Sequence, residues 1–327
     1  MRRRKFLILG GALVAWPFAG RAQETDAVAR VGVLGPSLDL TLAGRGYQIL
    51  STELQKLGFS QGKNLDMQYR RTDQGLDAAI AGVRQLIAAK TDVLVATGSE
   101  ISLRAAIAPN SGRPIVMMAF NYDPIARGYV KGLSHPGGNI TGLFFRQPEL
   151  APKQLQLLAE AFPAKTQLGI LWDAQSADQF DPAEQEARKM GMSVVSVKLD
   201  APPYNFEEAF RTLVKSKAQL LLVLSSPLFA PHGKQIAELA IRYRLPAMYI
   251  FKSYVEAGGL MSYGVDTEPL YRRCASYVAK ILRGAKPSDL PVEQADNFEF
   301  ALNLKTAKAA DFTLPTSILL RADEVIE

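Results

Sequence analysis

The first part of the chain alternates between unbroken apolar runs and stretches in which apolar residues recur every three or four positions. The runs at residues 31–34, 93–96 and 115–119 are typical of strands buried on both faces of a parallel sheet. Residues 43–57 show helical spacing directly after the first run. Because strand and helix patterns alternate four times, the sequence predicts a parallel α/β sheet with right-handed crossovers.

The same alternation starts again near residue 150 and continues to residue 250. We therefore predict an α/β fold of two Rossmann-like lobes with parallel sheets. The tail adds a strand at 260–262, a helix at 270–282 and an alternating strand at 298–302. These pieces would extend both sheets, which requires further crossings between the lobes.

We expect lobe 1 to contain residues 23–143 and 253–290, and lobe 2 to contain residues 144–252 and 291–327. The crossings are expected at Pro136-Gly137-Gly138 and near Ser253 and Leu290, because such connections are commonly flexible and rich in Pro and Gly. Movement at these segments would close the lobes on a ligand bound in the cleft between them.

The segment between residues 120 and 142 is dense in turn residues and follows the apolar run Ile115–Ala119. Asn121 and Asp123 come just past the carboxyl end of that predicted strand, where open α/β sheets place ligand groups. We therefore predict that this segment serves partly as a binding site and partly as a hinge between the lobes. The alternative is an ordinary loop between a strand and a helix.

Residues 1–22 have the pattern of an export signal, with a basic start, an apolar run at 6–20 and the small residues of a cleavage site. The order Arg3-Arg4-Lys5-Phe6-Leu7 resembles a twin-arginine motif, and the Sec pathway would accept the same segment. Removing this segment takes away five of the 38 basic residues and none of the 32 acidic ones. The remaining 33 basic and 32 acidic residues leave a net charge near +1, which argues against nucleic acid as a partner. We expect a periplasmic protein, soluble after cleavage.

Signatures of catalysis or metal binding are sparse. The chain has no G-x-S-x-G elbow, no Walker loop and no G-x-G-x-x-G after its first strand. His135 and His232 lie in loops without cysteines or acidic clusters beside them, and Cys274 is the only cysteine. We therefore predict no enzymatic activity, no cofactor and no metal.

The predicted strand ends carry hydroxyls, carboxylates and aromatic rings instead. Thr97 and Ser99 precede a helix start that suits an anion such as a carboxylate, although simple helix capping is the alternative. Asn121 and Asp123 suit an ammonium or a hydroxyl. The other candidates follow strands in either lobe, and for the aromatic ones core packing is the alternative; they are Ser37, Tyr122, Trp172, Asp173, Ser225, Tyr254 and Tyr263.

The mature chain resembles the periplasmic substrate-binding proteins of ABC transporters, in the branch related to tryptophan-binding proteins. The resemblance rests on six motifs: LQKLGFSQGKN at 54–64, VLVATGS at 93–99, DPIARG at 123–128, HPGGNITG at 135–142, GGLMSYG at 258–264 and LLRADEVIE at 319–327. It implies the type I binding-protein fold, with three crossings between the lobes. It also implies that Thr97, Ser99 and Asp123 face the cleft.

These patterns favour a monomeric, non-enzymatic receptor that binds an amino acid or aromatic acid and delivers it to an ABC permease in the inner membrane. Two alternatives stay open from the sequence. One is an exported α/β hydrolase that uses Asp123 or Asp173, and the other is a ligand-sensing module for a receptor kinase.

Overall fold

The computed structural model describes residues 28–120 and 122–327. The first eight elements are β1 (Ala29–Gly35), α1 (Thr41–Lys56), β2 (Leu65–Arg71), α2 (Leu76–Ala88), β3 (Val93–Gly98), α3 (Glu100–Ile107), β4 (Ile115–Ala119) and β5 (Ile140–Phe144). The first seven alternate as the apolar pattern predicts, and the long apolar runs form central strands. The predicted fourth helix is not found, because β5 follows β4 without a helix between them in the described residues.

The middle of the chain repeats the alternation after a 3-10 turn at Gln147–Leu150. Its elements are α4 (Ala151–Ala161), β6 (Gln167–Asp173), α5 (Ala177–Lys189), β7 (Ser193–Leu199), α6 (Phe206–Lys215), β8 (Leu220–Val223), α7 (Gly233–Arg242), β9 (Ala247–Tyr249) and α8 (Lys252–Glu256). The tail forms β10 (Met261–Val265), α9 (Thr267–Leu282), β11 (Val292–Gln294), β12 (Phe298–Asn303), α10 (Leu304–Ala309), α11 (Thr316–Leu319) and β13 (Glu324–Ile326).

The strands form two sheets, which define the two lobes. Lobe 1 has the order β11-β5-β4-β3-β1-β2, and lobe 2 has the order β13-β12-β10-β9-β8-β6-β7. Every strand pair is parallel except β10 with β12. The predicted fold class of two α/β lobes with parallel sheets is confirmed.

Helices cover both faces of each sheet, which explains why the strands are apolar without alternation. In β3, Val93 and Val95 pack under α1 and α9, while Leu94 and Ala96 pack under α2 and α3. Successive side chains of a strand point to opposite faces, so both faces need apolar residues. In β8, Leu221 packs in the core below α6 and α7. Its neighbours Leu220 and Leu222 point to the opposite face of the sheet.

The chain crosses between the lobes three times, and only the first crossing lies beside a predicted lobe boundary, the one between residues 143 and 144. The crossings are Phe145-Arg146 after β5, Asp266 between β10 and α9, and residues 295–297 between β11 and β12. The fold's three crossings are therefore present, but these extended segments contain neither Pro nor Gly. Turn composition marks turns within a lobe rather than passages between lobes.

The predicted crossing at Pro136-Gly137-Gly138 lies inside lobe 1, because β5 follows it and still pairs with β4. Ser253 is inside α8, which packs on β10 and β12 of lobe 2. The carbonyl of Leu290 accepts a hydrogen bond from Thr141 Oγ1 at 2.8 Å within lobe 1.

Two strands of the tail belong to the opposite sheet from the predicted one. β10, expected in lobe 1 with residues 253–290, pairs with β9 and β12 in lobe 2. β11, expected in lobe 2 with residues 291–327, pairs with β5 in lobe 1. The predicted export signal at residues 1–22 lies outside the described residues.

Candidate ligand-binding site

A cavity of about 130 Å³ lies where the first crossing leaves lobe 1. Its lining comes from the loop after β4, the crossing itself, the 3-10 turn that follows, and the start of α5. Both lobes therefore contribute to it, at the carboxyl ends of their strands. The lining residues are Tyr122, Asp123, Phe145, Arg146, Gln147, Pro148, Glu149 and Asp178.

Asp123 lies in the cavity wall, and each of its carboxylate oxygens has a partner. Oδ1 accepts hydrogen bonds from the backbone N–H groups of Ile125 at 2.8 Å and Ala126 at 3.0 Å. Oδ2 is 3.3 Å from Nε of Arg146, and 27% of the Asp123 side chain is exposed. The turn holds one oxygen in place, while the other forms an ion pair at the edge of the cavity.

Arg146 is a cavity residue that the sequence analysis missed. Its guanidinium also pairs with Glu149 at 3.0 Å, and 42% of the side chain is exposed. Arg146 stands just beyond the end of β5, so its position at a strand end was the signal that could have identified it.

Gln147 was also missed, and its side chain is only 5% exposed. Its Nε2 donates to Ser225 Oγ at 3.0 Å, while no described residue pairs with its buried Oε1. Ser225, a predicted site residue, is held in turn by Gln179, which accepts from the Ser225 N–H at 3.0 Å and donates to its carbonyl at 2.9 Å.

Asp178 completes the cavity from lobe 2, at the start of α5. Desolvation raises the pKa of this carboxyl, and the positive charge of Arg127 in lobe 1 opposes that shift. Acidic groups therefore reach the cavity from both lobes.

Three phenylalanine rings meet behind this polar wall. Phe120 follows β4, Phe145 belongs to the first crossing, and Phe251 precedes α8 of lobe 2. Ring centroids lie 5.6 Å apart for Phe120 and Phe145, 6.0 Å for Phe120 and Phe251, and 6.2 Å for Phe145 and Phe251. Phe145 lines the cavity, so it presents an apolar surface next to the Asp123 and Arg146 pair.

The predicted hydroxyl candidates of lobe 1 do not line this cavity. Thr97 is buried, and its Oγ1 donates to the Leu34 carbonyl at 2.9 Å. Ser99 is the residue before α3 and makes no capping bond with its side chain. The hydroxyl of Ser37 donates to Asp39 Oδ2 at 3.0 Å.

Asp173 has no exposed surface, and protein groups satisfy its carboxylate. Oδ1 accepts from Ser176 Oγ and from the N–H groups of Gln175 and Ser176, at 2.9 to 3.1 Å. Oδ2 accepts from Tyr204 Oη at 2.9 Å and Ser226 Oγ at 2.5 Å. Asp173 therefore caps the turn after β6 and has no oxygen left for a ligand.

Among the predicted aromatic residues, only Tyr122 lines the cavity. The ring of Trp172 stacks on Phe180 at 4.4 Å, and that of Tyr254 stacks on Tyr249 at 5.0 Å. Tyr263 stacks on Phe298 at 6.1 Å. Asn121 lies outside the described residues.

A salt bridge also connects the two lobes away from this cavity. Arg45 Nη1 on α1 lies 2.9 Å from Glu256 Oε1 on α8. Within residues 28–120 and 122–327, no group of three or more His, Cys, Asp or Glu side chains is placed to hold a metal ion. In the same part of the chain, no helix has the length and apolarity needed to cross a membrane.

Residues 27–326 match the ABC transporter substrate binding protein family, and the chain belongs to that family. The prediction of a non-enzymatic binding protein is confirmed by this membership. It also removes the hydrolase alternative, for which Asp173 is in any case unsuited because its carboxylate is buried and fully hydrogen-bonded.

Particular relatives make the comparison sharper. The chain is 25% identical over 279 residues to the tyrosine-binding protein of Clostridioides difficile (strain R20291), covering 84% of this chain and 78% of the relative. A conserved domain protein from Vibrio cholerae O1 biovar El Tor has 26% identity and a TM-score of 0.80, over 91% of this chain and 99% of the other. An ABC domain from Streptococcus pneumoniae in complex with L-Trp has 25% identity and a TM-score of 0.77, over 92% and 100%.

Proposed function

We propose that this protein is an exported receptor that binds a free aromatic amino acid in the interlobe cavity and delivers it to an ABC permease. The observation that carries the proposal is the pair Asp123 and Arg146, which places opposite charges 3.3 Å apart at the cavity beside the Phe145 ring. A free aromatic amino acid carries three complementary groups, namely an ammonium, a carboxylate and an aromatic ring.

Binding would replace the ion pair between Asp123 and Arg146 with two ion pairs, one from each of these residues to the ligand. We assign the ammonium to Asp123, as the sequence predicts, and the carboxylate to the guanidinium of Arg146, which binds carboxylates in a bidentate geometry.

The aromatic side chain of the ligand would pack on the Phe145 ring, which the Phe120 and Phe251 rings support from behind. Aromatic pairs prefer tilted or edge-to-face contacts at centroid distances of about 4.5 to 7 Å, and this cluster already uses such contacts. The relatives named for tyrosine binding and for an L-Trp complex support an aromatic amino acid rather than a small one.

Calorimetry tests the ligand. We expect L-tyrosine or L-tryptophan to bind, and we expect L-alanine and neutral sugars to give no heat of binding at the same concentration. If no amino acid binds, the assignment of this cavity is wrong.

Export and delivery require separate tests. We expect the intact mass of the periplasmic protein to be that of a chain that begins near Gln23. We also expect this protein to sediment as a monomer. Deleting the gene should abolish uptake of the labelled amino acid if the protein supplies a permease. Unchanged uptake with loss of a transcriptional response would instead favour the ligand-sensing module.

A further inference from the structure

The salt bridge between Arg45 and Glu256 connects the two lobes directly, outside the crossings. Arg45 lies in α1, which packs on α9 of lobe 1, while Glu256 is the last residue of α8, which packs on β10 and β12 of lobe 2. Nη1 of Arg45 is 2.9 Å from Oε1 of Glu256, although 211 positions separate the two residues in the chain. A rotation of the lobes that separates α1 from α8 therefore breaks this bond.

The salt bridge contributes little to the structure of either lobe alone. The side chains of Arg45 and Glu256 are 42% and 24% exposed, and within the described residues neither side chain forms another hydrogen bond or salt bridge. A carboxylate at the last residue of a helix is also unfavourable for that helix, because the backbone carbonyls there carry partial negative charge. The position of Glu256 is therefore explained by its partner in the other lobe rather than by α8.

The charges around Arg45 attract lobe 1 to lobe 2. The hydrogen bond to Glu256 raises the pKa of Arg45 above its ordinary value, and partial burial opposes this shift. The negative charges of Glu268 in lobe 1 and Glu324 in lobe 2 also favour the charged guanidinium. Glu324 already pairs with Lys252 at 2.9 Å, so Glu256 is the carboxylate of lobe 2 that Arg45 neutralises.

The salt bridge and the ligand cavity lie on the same boundary between the lobes. Arg45 lines a small cleft beside the second crossing, together with Asp266 and with Phe251 of lobe 2. The Phe251 ring contacts the Phe145 ring at a centroid distance of 6.2 Å, and Phe145 lines the ligand cavity at the first crossing. A rotation of the lobes therefore changes both places. The bond between Arg45 and Glu256 forms in the conformation in which both lobes line the cavity.

We propose that the salt bridge between Arg45 and Glu256 stabilises the conformation in which both lobes line the cavity, and that it raises the affinity for every ligand of that cavity by the same factor. A ligand that binds only this conformation has an apparent dissociation constant that increases as the populated fraction of the conformation falls. Exposed ion pairs change such an equilibrium by about twofold to fivefold. The effect on affinity rests on the proposed function, whereas the effect on the conformation does not.

The conformation can be measured without a ligand. Cys274 is buried, so cysteines introduced at exposed positions, by Arg84→Cys in α2 of lobe 1 and Lys215→Cys in α6 of lobe 2, can be spin-labelled selectively. We expect Arg45→Gln to reduce the population at the wild-type distance between the labels and to add a second population. The wild type in 1 M NaCl should show the same change, because salt screens exposed charges. Distance distributions that coincide in the wild type and Arg45→Gln would overturn the proposal.

Further variants test the pairing itself. Glu256→Gln should have the same effect as Arg45→Gln, and Arg45→Glu combined with Glu256→Arg should retain more of the wild-type distribution than Arg45→Glu alone. Arg272→Gln is the control, because Arg272 is 52% exposed and bonds to Glu268 at 2.9 Å within α9 of lobe 1. It should leave the distribution unchanged. If Arg272→Gln changes the distribution as much as Arg45→Gln does, the effect is one of general surface charge and the proposal is overturned.

Calorimetry measures the effect on affinity. We expect Arg45→Gln to raise the dissociation constants of L-tryptophan and L-tyrosine by the same factor, about twofold to fivefold. Tighter binding would mean that the salt bridge holds the lobes apart, and unequal factors would mean that Arg45 acts on the ligand. Either result overturns the proposal while the proposed function stands. If the wild type binds neither amino acid, the proposed function fails, and the distances between the spin labels still decide the role of the salt bridge.

Discussion

Asp123 and Asp173 occupy comparable places in the two lobes, yet their carboxylates have different surroundings. Asp123 follows β4, Asp173 is the last residue of β6, and each uses Oδ1 to accept from the N–H groups two and three residues further on. The difference lies in Oδ2. In Asp173 it is closed off by two hydroxyl donors and has no exposed surface. In Asp123 it forms an ion pair at the cavity, with 27% of the side chain exposed.

This difference indicates that similar strand ends can have different roles, one in folding and one in binding. Charged groups that are buried and fully hydrogen-bonded make a site rigid, but they cannot exchange partners without a large cost. A carboxylate whose second oxygen pairs with a half-exposed guanidinium can exchange that partner for a ligand at low cost. We therefore expect Asp173 to affect folding and Asp123 to affect binding.

The largest effect should come from Asp173→Ala. The substitution leaves the hydroxyls of Tyr204 and Ser226 and two backbone donors without their acceptor, so the free energy of unfolding should fall by about 3 to 5 kcal/mol. Urea denaturation measures this change. Asp181→Ala, at an exposed position of α5, is the control and should change stability by less than about 0.5 kcal/mol. A loss below about 1 kcal/mol for Asp173→Ala would contradict the comparison.

Asp123→Asn should act on binding instead. The amide oxygen still accepts from Ile125 and Ala126, so stability should stay close to that of the wild type, while affinity for L-tyrosine or L-tryptophan should fall by about 1 to 3 kcal/mol. Calorimetry measures the affinity. Glu149→Gln removes another cavity carboxylate, whose side chain is 56% exposed, and should have a smaller effect. Wild-type affinity in the Asp123 variant would remove Asp123 from the site.

Tyr204→Phe removes one donor to Asp173 Oδ2 and should lower stability by about 1 to 2 kcal/mol at neutral pH. Burial, followed by the hydrogen bond to Asp173, raises the pKa of the Tyr204 phenol above its ordinary value. The folded state thus holds this proton more tightly than the unfolded state, so the contribution is complete below about pH 10 and is lost as the pH rises above it. Stability of the wild type should therefore fall more steeply above pH 10 than that of Tyr204→Phe. Parallel curves would contradict this interpretation.

The strands and the layers of helices could be predicted from the sequence because burial on both faces leaves a continuous apolar pattern. The exact residues of the crossings could not be predicted, because the chain passes between the lobes in extended segments that carry no turn signal, at Phe145, Arg146 and Asp266. Placing them requires the pairing of β5 and β10, which is a property of the assembled sheets.

The structural roles of Trp172 and Asp173, two of the predicted site residues, could have been recognised from local sequence rules. Trp172 lies two residues after Ile170, so strand alternation places it on the same helix-covered face. The order Asp173-Ala174-Gln175-Ser176 allows the reciprocal capping that the structure contains. The burial of Gln147 has no such local signal, since its side chain bonds to Ser225, which follows β8 and is distant in the sequence.

A small effect on folding should come from Arg146→Gln, which tests whether the ion pair of the cleft is structural. The side chains of Arg146 and Asp123 are 42% and 27% exposed, and pairs of this kind contribute about 0.2 to 1 kcal/mol to stability. We expect urea denaturation to show a loss of that size at low salt and almost none in 1 M NaCl, where the screening length falls to about 3 Å. The loss caused by Asp173→Ala should persist in the same salt, because its partners are buried. A loss above about 2 kcal/mol for Arg146→Gln that resists salt would mean that the cleft pair holds the lobes together, and Asp123 would then resemble Asp173 in its role.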